Sequence, residues 1–278
     1  MYKVLKNVPI SENSYLMEVE APLVINKAIP GQFVIVMSKE DSERIPLTIY
    51  DYDKEKGILR LIYQVIGAST LEMTKVKDEI FSVVGPLGRP NEMCKDPDNF
   101  KGKRLVYVAG GVGIAPCYPQ VKYLKERGFQ VDIIYGARSE GLLLIRDEIE
   151  KVADHVYYAT DDGSYGTKGF VTNILEEKIN DYDICVAIGP FIMMKNVAEL
   201  TRKFNLKTIV SLNPLMVDGT GMCGACRCEI DGKSKFACVD GPEFDGHKVN
   251  FDLAIKRMNT YREEEQKKLE EMKKALGE

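Results

Sequence analysis

Histidine is scarce in this sequence of 278 residues: His155 and His247 are the only two, and neither stands in a motif. Both read as structural or surface residues, and no side chain is compelled to act as acid or base. Positive charge is not in excess either. The 38 Lys and Arg are set against 42 Asp and Glu, for a formal net charge of −4, which offers no basic footprint for nucleic acid. No apolar run has the length of a membrane span, and nothing resembles a signal peptide. The expectation is a cytoplasmic protein without membrane or nucleic-acid partners, long enough for two domains or more.

Cysteine, in contrast, is crowded. Four of the seven fall in the stretch DGTGMCGACRCEIDGKSKFAC at 218–238. Cys223, Cys226 and Cys238 have the spacing Cys-x2-Cys-x11-Cys, and Asp218 precedes the first of them across a glycine-rich turn. Glycines there let backbone N–H groups approach sulfur without side chains in the way. Three readings stay open. Cys228 would complete a four-thiolate structural zinc site. Asp218 would instead complete the plant-type ferredoxin order Cys-x4-Cys-x2-Cys with a distant fourth ligand, its first cysteine replaced by aspartate. The third reading is free or disulfide-bonded cysteines, against which the missing secretory signal argues. Cys94, Cys117 and Cys185 read as core residues.

Residues 1–98 read as strands and turns. Residues 15–20 alternate apolar and acidic, 32–37 form an apolar run after Pro30-Gly31, and 57–66 form another. Short strands without intervening helices predict a small antiparallel β-barrel. In Arg44-Ile-Pro-Leu-Thr48 a guanidinium, a ring that fixes the backbone and a hydroxyl stand in a row, which suits a flat cofactor with phosphates and also an ordinary strand start. Gly67-Ala-Ser-Thr70 opens a short helix in which Ser69 and Glu72 have capping-box spacing. The same glycine and hydroxyls would seat a pyrophosphate.

From about residue 103 strands and helices alternate. Strands are expected at 103–109, 131–135, 155–159, 183–188 and 207–211, giving a five-stranded parallel sheet over 99–212. Ligands of such sheets lie beyond the carboxyl ends of the strands. Those ends carry Gly110-Gly-Val-Gly-Ile-Ala-Pro116, Gly136-Ala-Arg138-Ser139, Thr160-Asp161 and Gly189-Pro190, which suit a close-lying dinucleotide and equally an ordinary set of turns. Pro116 stands where the usual dinucleotide fingerprint has its third glycine. Arg138 and Ser139 could touch a ribose or a 2′-phosphate, so NAD against NADP is left open.

The ordered set of Arg44-x-Pro-Leu-Thr48, Gly67–Thr70, Gly110–Pro116, Gly189-Pro190 and the cysteine segment resembles the ferredoxin-NADP reductase superfamily. The likeness covers roughly residues 1–250. It points to the branch of dihydroorotate dehydrogenase electron-transfer subunits and the small subunits of electron-bifurcating NADH-dependent reduced ferredoxin:NADP oxidoreductases. The resemblance implies an oxidoreductase subunit with FAD on the barrel, NAD(H) on the parallel sheet and a 2Fe-2S cluster at 213–250, followed by a C-terminal helix at 251–278. It implies FAD contacts at Arg44, Pro46, Leu47, Thr48, Ile62, Tyr63, Gln64, Gly67, Ser69 and Thr70. The nucleotide would lie on Gly110, Gly111, Gly113, Ala115, Pro116, Gly136, Ala137, Arg138, Asp161, Gly189 and Pro190, and the cluster on Asp218, Cys223, Cys226 and Cys238. A larger flavin and iron-sulfur subunit is the implied partner, with ferredoxin and NADP(H) reached through it. Dihydroorotate dehydrogenase partners carry four cysteines, and aspartate in the first place looks like the bifurcating small subunit. The competing readings are a dihydroorotate dehydrogenase electron-transfer subunit and, outside enzymes, a nucleotide-sensing module with a structural zinc.

Overall fold

The computed structural model describes residues 1–277. Its N-terminal sheet has seven antiparallel strands in the order Glu79–Ile80, Tyr2–Ser11, Ser14–Glu20, Ile58–Gln64, Ile45–Asp53, Phe33–Met37 and Ser82–Leu87. The two outermost strands are separated in sequence by Phe81 alone, so one stretch of chain joins both edges and the sheet curls into a barrel. Period-2 alternation then sorts the side chains. Leu47, Ile49 and Tyr63 enter the barrel core with Val34 and Val36. Phe33 and Ile35 face outward, and their cross-strand partners are Thr48 and Pro46.

The parallel sheet is built around Val156–Thr160, Gln130–Ala137, Arg104–Gly110, Ile184–Ile188 and Lys207–Ser211 in that spatial order. Alternate residues of Arg104–Gly110 are buried on opposite faces: Leu105, Tyr107 and Ala109 in one core, Val106 and Val108 in the other. This is why the strand reads as an unbroken apolar run. The expectation of five strands needs correcting to seven. Thr167–Lys168 adds a parallel edge, and Glu243–Asp245 adds an antiparallel strand beside Lys207–Ser211. Neither could be read locally, because a two- or three-residue strand has no periodicity to detect.

The cysteine segment is bound to both sheets. Met216, Cys226, Ala237 and Cys238 share a small core with Phe33 and Ile35 of the barrel, while Glu243–Asp245 extends the parallel sheet.

The single C-terminal helix expected at 251–278 is two helices, Phe251–Met258 and Arg262–Leu276. The first buries Phe251 and Ala254 and packs on Phe191–Lys203, and the second packs on Ala68–Met73 of the barrel. A straight rod cannot reach both, and the break falls at Asn259 and Thr260, weak helix formers. Residue 278 lies outside the described residues. Among the described residues no helix is long and apolar enough to cross a membrane.

Candidate functional site

The order of the parallel strands reverses between Arg104–Gly110 and Ile184–Ile188, the crevice where open α/β sheets take ligands. Gly110 and Gly189 end those two strands, and what they touch separates packing glycines from exposed ones. A Cβ on Gly113 would lie 2.2 Å from the carbonyl oxygen of Ile188, and one on Gly189 would lie 3.0 Å from the Gly110 backbone. A Cβ on Gly110 would meet Met193 Sδ at 2.5 Å. These three glycines let two loops pack on each other. Gly111 differs: it has a left-handed φ of +55° and open space where a side chain would be, so its backbone is available to a ligand. Gly136 packs on Val171. Asp161 is exposed, and its N–H donates to the Ala137 carbonyl at 3.1 Å. Arg138 is exposed at the same strand end, Ala115 is buried and Pro116 half-buried in the helix Ile114–Lys125, and Pro190 is exposed just before the helix Phe191–Lys203.

On the barrel, alternation divides the predicted flavin residues. Pro46 and Thr48 lie on the outer face opposite Ile35 and Phe33, and Ile62 joins Tyr50 in the core shared with the parallel-sheet domain. Gln64 is two residues beyond Ile62 on the same side of the strand. Leu47 and Tyr63 turn inward, and the Tyr63 hydroxyl donates to Asn7 at 3.0 Å. Arg44 Nε is buried and meets no acceptor, although the same guanidinium donates from Nη2 to the Asp218 carbonyl at 3.2 Å. A buried donor without a partner costs about 1–3 kcal/mol. An acceptor supplied by a phosphate-bearing cofactor would remove that cost.

The capping box expected from Ser69 and Glu72 is not formed. Thr70 caps the helix Ala68–Met73 instead, its hydroxyl accepting from the Ile66 and Gly67 N–H groups, each at 3.1 Å, and donating to the Gly67 carbonyl at 3.0 Å. Ser69 donates to Glu43, and Glu72 pairs with Lys39 and Ser38. Thr70 sits three residues from Gly67 and is buried, so it reaches the first N–H groups that Ser69, turned outward, cannot.

In the cysteine segment Cys226 and Cys238 are buried with their sulfurs 3.2 Å apart, too far for a disulfide. The Cys238 N–H points at Cys226 Sγ and the Ala225 N–H at Cys223 Sγ, both at 3.5 Å. Such donors stabilise thiolates and cluster sulfur. Cys223 is exposed. Asp218 turns one oxygen into its own loop, accepting from the Thr220 N–H at 2.9 Å and the Met222 N–H at 3.3 Å. Its carboxyl is thereby held below the usual range, chiefly by the Thr220 hydroxyl. Among the described residues no three metal-binding side chains converge on one point. Cys228 belongs to the opposite core from Cys226 and Cys238, with its Sγ on the Lys235 carbonyl at 3.5 Å, so the four-thiolate zinc set is not assembled.

One group was not legible in advance. The Glu243 carboxylate accepts from Asn91 Nδ2 at 2.7 Å and Gln120 Nε2 at 2.8 Å, and the Tyr107 hydroxyl donates to Gln120 Oε1 at 3.1 Å. Burial pushes its pKa up to about 7, against the pull of the two amides. Asn91 precedes Glu243 by 152 residues, a separation no local pattern reports. Because the folded pKa exceeds the unfolded one, folding takes up a proton. The group's contribution to stability is therefore greatest below the ordinary carboxyl range and falls as pH rises toward 7. Glu243→Gln should remove that slope, flattening the dependence of stability on pH between the ordinary carboxyl range and neutrality. Urea midpoints measured against pH check this, and parallel profiles for the two proteins would reject it.

The description "Iron-sulfur cluster binding domain of dihydroorotate dehydrogenase B" matches residues 213–250, and "Oxidoreductase NAD-binding domain" matches 107–199. The chain is 44% identical to a protein of Thermotoga maritima named a homolog of the dihydroorotate dehydrogenase B (NAD(+)) electron transfer subunit, over 99% of this chain and 97% of that one. It is 33% identical to the dihydroorotate dehydrogenase B (NAD(+)) electron transfer subunit of Clostridium perfringens, covering 90% of this chain and 97% of the other. Among solved structures it resembles one described as giving insights into flavin-based electron bifurcation via the NADH-dependent reduced ferredoxin-NADP oxidoreductase structure. There the TM-score is 0.89 at 42% identity, over 98% and 97% of the two chains. Ferredoxin-NADP+ reductase from Plasmodium falciparum shares the fold, with a TM-score of 0.57 at 15% identity over 73% of this chain and 90% of that one.

Proposed function

Because the chain belongs to the family of dihydroorotate dehydrogenase B electron-transfer subunits and their homologues, we propose that it carries electrons between NAD(H) and a larger flavin and iron-sulfur subunit. It is an oxidoreductase subunit with NAD-binding and iron-sulfur-binding domains on an FAD-binding type of fold. We assign FAD to residues 1–98, the nucleotide to 99–212, the 2Fe-2S cluster to 213–250 and the terminal helices to 251–278.

Bound FAD would supply two-electron hydride chemistry with a nicotinamide, and a bound cluster would supply one-electron chemistry. The chain's own residues hold and orient. Gly111 offers its backbone at the crevice, and Arg138 presents a guanidinium at the neighbouring strand end. Pro46, Thr48, Ile62 and Gln64 present the barrel's outer face, and Arg44 adds a donor there. Leu47 and Tyr63 contribute through their main chain, since their side chains are inside the barrel. Cys226 and Cys238 supply a paired thiolate edge, with Cys223 and the second Asp218 oxygen completing the set at the rim. The observation that carries the reading is Arg44, whose buried Nε lacks an acceptor while its Nη2 holds the loop of the predicted cluster.

Bifurcation among NADH, NADP and ferredoxin is the finer reading. It is supported by the likeness to the bifurcating oxidoreductase structure and by aspartate at position 218. The reading as a dihydroorotate dehydrogenase subunit is favoured by the relatives' names. An anaerobic absorption spectrum of the purified chain, with iron, sulfide, zinc and flavin assayed together, tests the common core. Flavin bands over a broad iron-sulfur envelope are expected, with about two irons per chain and bleaching by NADH. Zinc without flavin would overturn the assignment. Asp218→Asn keeps an acceptor for the loop N–H groups but is a poorer ligand. It should lower iron content or shift the spectrum, and an unchanged spectrum removes aspartate from the ligand set.

A further inference from the structure

The C-terminal helix Arg262–Leu276 has no buried residue, and only Leu269 and Met272, one turn apart, are partly covered. It nevertheless has a defined seat against Ala68–Met73. From that seat Lys268 Nζ reaches Glu43 Oε1 at 2.7 Å, and the other oxygen of Glu43 accepts the Ser69 hydroxyl. Residues 43, 69 and 268 thus meet at one point. Next to Glu43 in sequence is Arg44, with its unpartnered buried Nε.

The exposed ion pair is not there for stability. Both side chains are more than half exposed, at 57% and 58%, and pairs of that kind contribute little. Its position matters more. Glu43 takes up the one hydroxyl of this turn that is free to change partner, since the Thr70 hydroxyl is committed to the helix start. A dianionic diphosphate arriving at Ser69 must displace a carboxylate and then lie beside it. Lys268 is the cation that offsets the carboxylate, and it holds the Glu43 carboxyl below its ordinary range.

We infer that the C-terminal helix is a strap across the diphosphate end of the FAD seat, in which Lys268 restrains Glu43 and so sets how readily Ser69 accepts the cofactor. Lys268 is a positioning residue: it acts on the cofactor through Glu43. The inference rests on the FAD assignment above and goes further by assigning a role to a helix outside the matched domains.

The test is FAD dissociation from the full-length chain, followed by the recovery of free-flavin fluorescence on dilution, at low and high salt. Lys268→Gln should release FAD about 3- to 10-fold faster at low salt, with the difference shrinking at high salt as the charges are screened. Glu43→Gln should slow release. In Glu43→Gln/Lys268→Gln the lysine change should have no further effect, because the charge it offsets is gone. Riboflavin, which has no phosphate, should bind all four proteins alike. If Ser69→Ala speeds FAD release while Lys268→Gln does not, the strap is rejected and the FAD seat stands. If the wild-type chain binds no FAD, or Ser69→Ala is without effect, the seat itself is misplaced and the strap falls with it. Equal effects of Lys268→Gln with and without Glu43 would also reject the strap.

Discussion

Gly113→Ala is expected to cost the parallel-sheet domain more than about 3 kcal/mol and to abolish NAD(H) binding. The residue's φ of −60° and ψ of −13° suit alanine, so the backbone conformation is not the obstacle. The obstacle is the Ile188 carbonyl: the new Cβ would lie 2.2 Å from its oxygen and 2.7 Å from its carbon, with the Gly189 α-carbon at 3.0 Å. All three are main-chain atoms, and no rotamer change can move them aside. Either the glycine loop withdraws or the end of Ile184–Ile188 leaves its place beside Arg104–Gly110. Gly111→Ala is the control. Its Cβ would meet nothing, but at a φ of +55° an L-residue costs about 1–2 kcal/mol. Urea denaturation of both variants decides the matter. A Gly113→Ala cost below that of Gly111→Ala would mean that the loops are not packed as described.

Arg44 should give the second large effect, through two readouts at once. Its guanidinium ties the barrel to the loop at Asp218 and offers a buried donor at the outer face. Arg44→Met keeps the apolar stem and loses both functions. FAD affinity should fall by about 100-fold or more, since a charge-assisted hydrogen bond in a buried site is worth about 1.5–3 kcal/mol and the charge is lost with it. Iron should also be released to a chelator faster. Arg44→Lys should recover little of either, because one ammonium cannot serve two directions as the planar guanidinium does. Flavin retention on gel filtration and the rate of iron release measure the two effects separately. Normal flavin retention in Arg44→Met would show that the unpartnered Nε is not part of the cofactor's seat.

Local patterns in the chain revealed those parts of the fold whose physics is local. Alternation in residues 15–20 and the apolar run at 103–109 are visible because a half-buried strand alternates with period two whereas a fully buried one is apolar throughout. The helix break at Asn259 and Thr260 was missed because charged, i,i+4-patterned sequence favours helix throughout, and the reason to stop is tertiary: the two halves pack on different domains. The same limit applies at the site. The residues of the glycine loop could be found by position, but whether a glycine packs on a backbone or opens to a ligand depends on a neighbour some 75 residues away, as with Gly113 and Ile188. The spacing of Asp218, Cys223, Cys226 and Cys238 was likewise readable, whereas the separation of Cys228 from Cys226 and Cys238 into opposite cores came only from the turn at Ala225 and Cys226 that precedes the strand Arg227–Ile230, since residues two apart on one strand would share a face. Glu43, Lys268 and Glu243 carry no motif, and each acquires its role from a partner distant in sequence.

The cysteine segment is held on one side by the barrel residues Phe33 and Ile35 and on the other by the strand Glu243–Asp245 on the parallel sheet. At the junction, Glu243 draws its two donors from Asn91, between the barrel and the sheet, and from Gln120, on the helix after the glycine loop. Turning any one of these parts against the others would strip the half-buried Glu243 carboxylate of its donors. The relative placement of the barrel, the cysteine segment and the parallel sheet is therefore set when the chain folds, and swinging the cysteine segment away would cost these contacts. Electron transfer within a chain built this way would rest on the fixed spacing of its parts, not on movement among them.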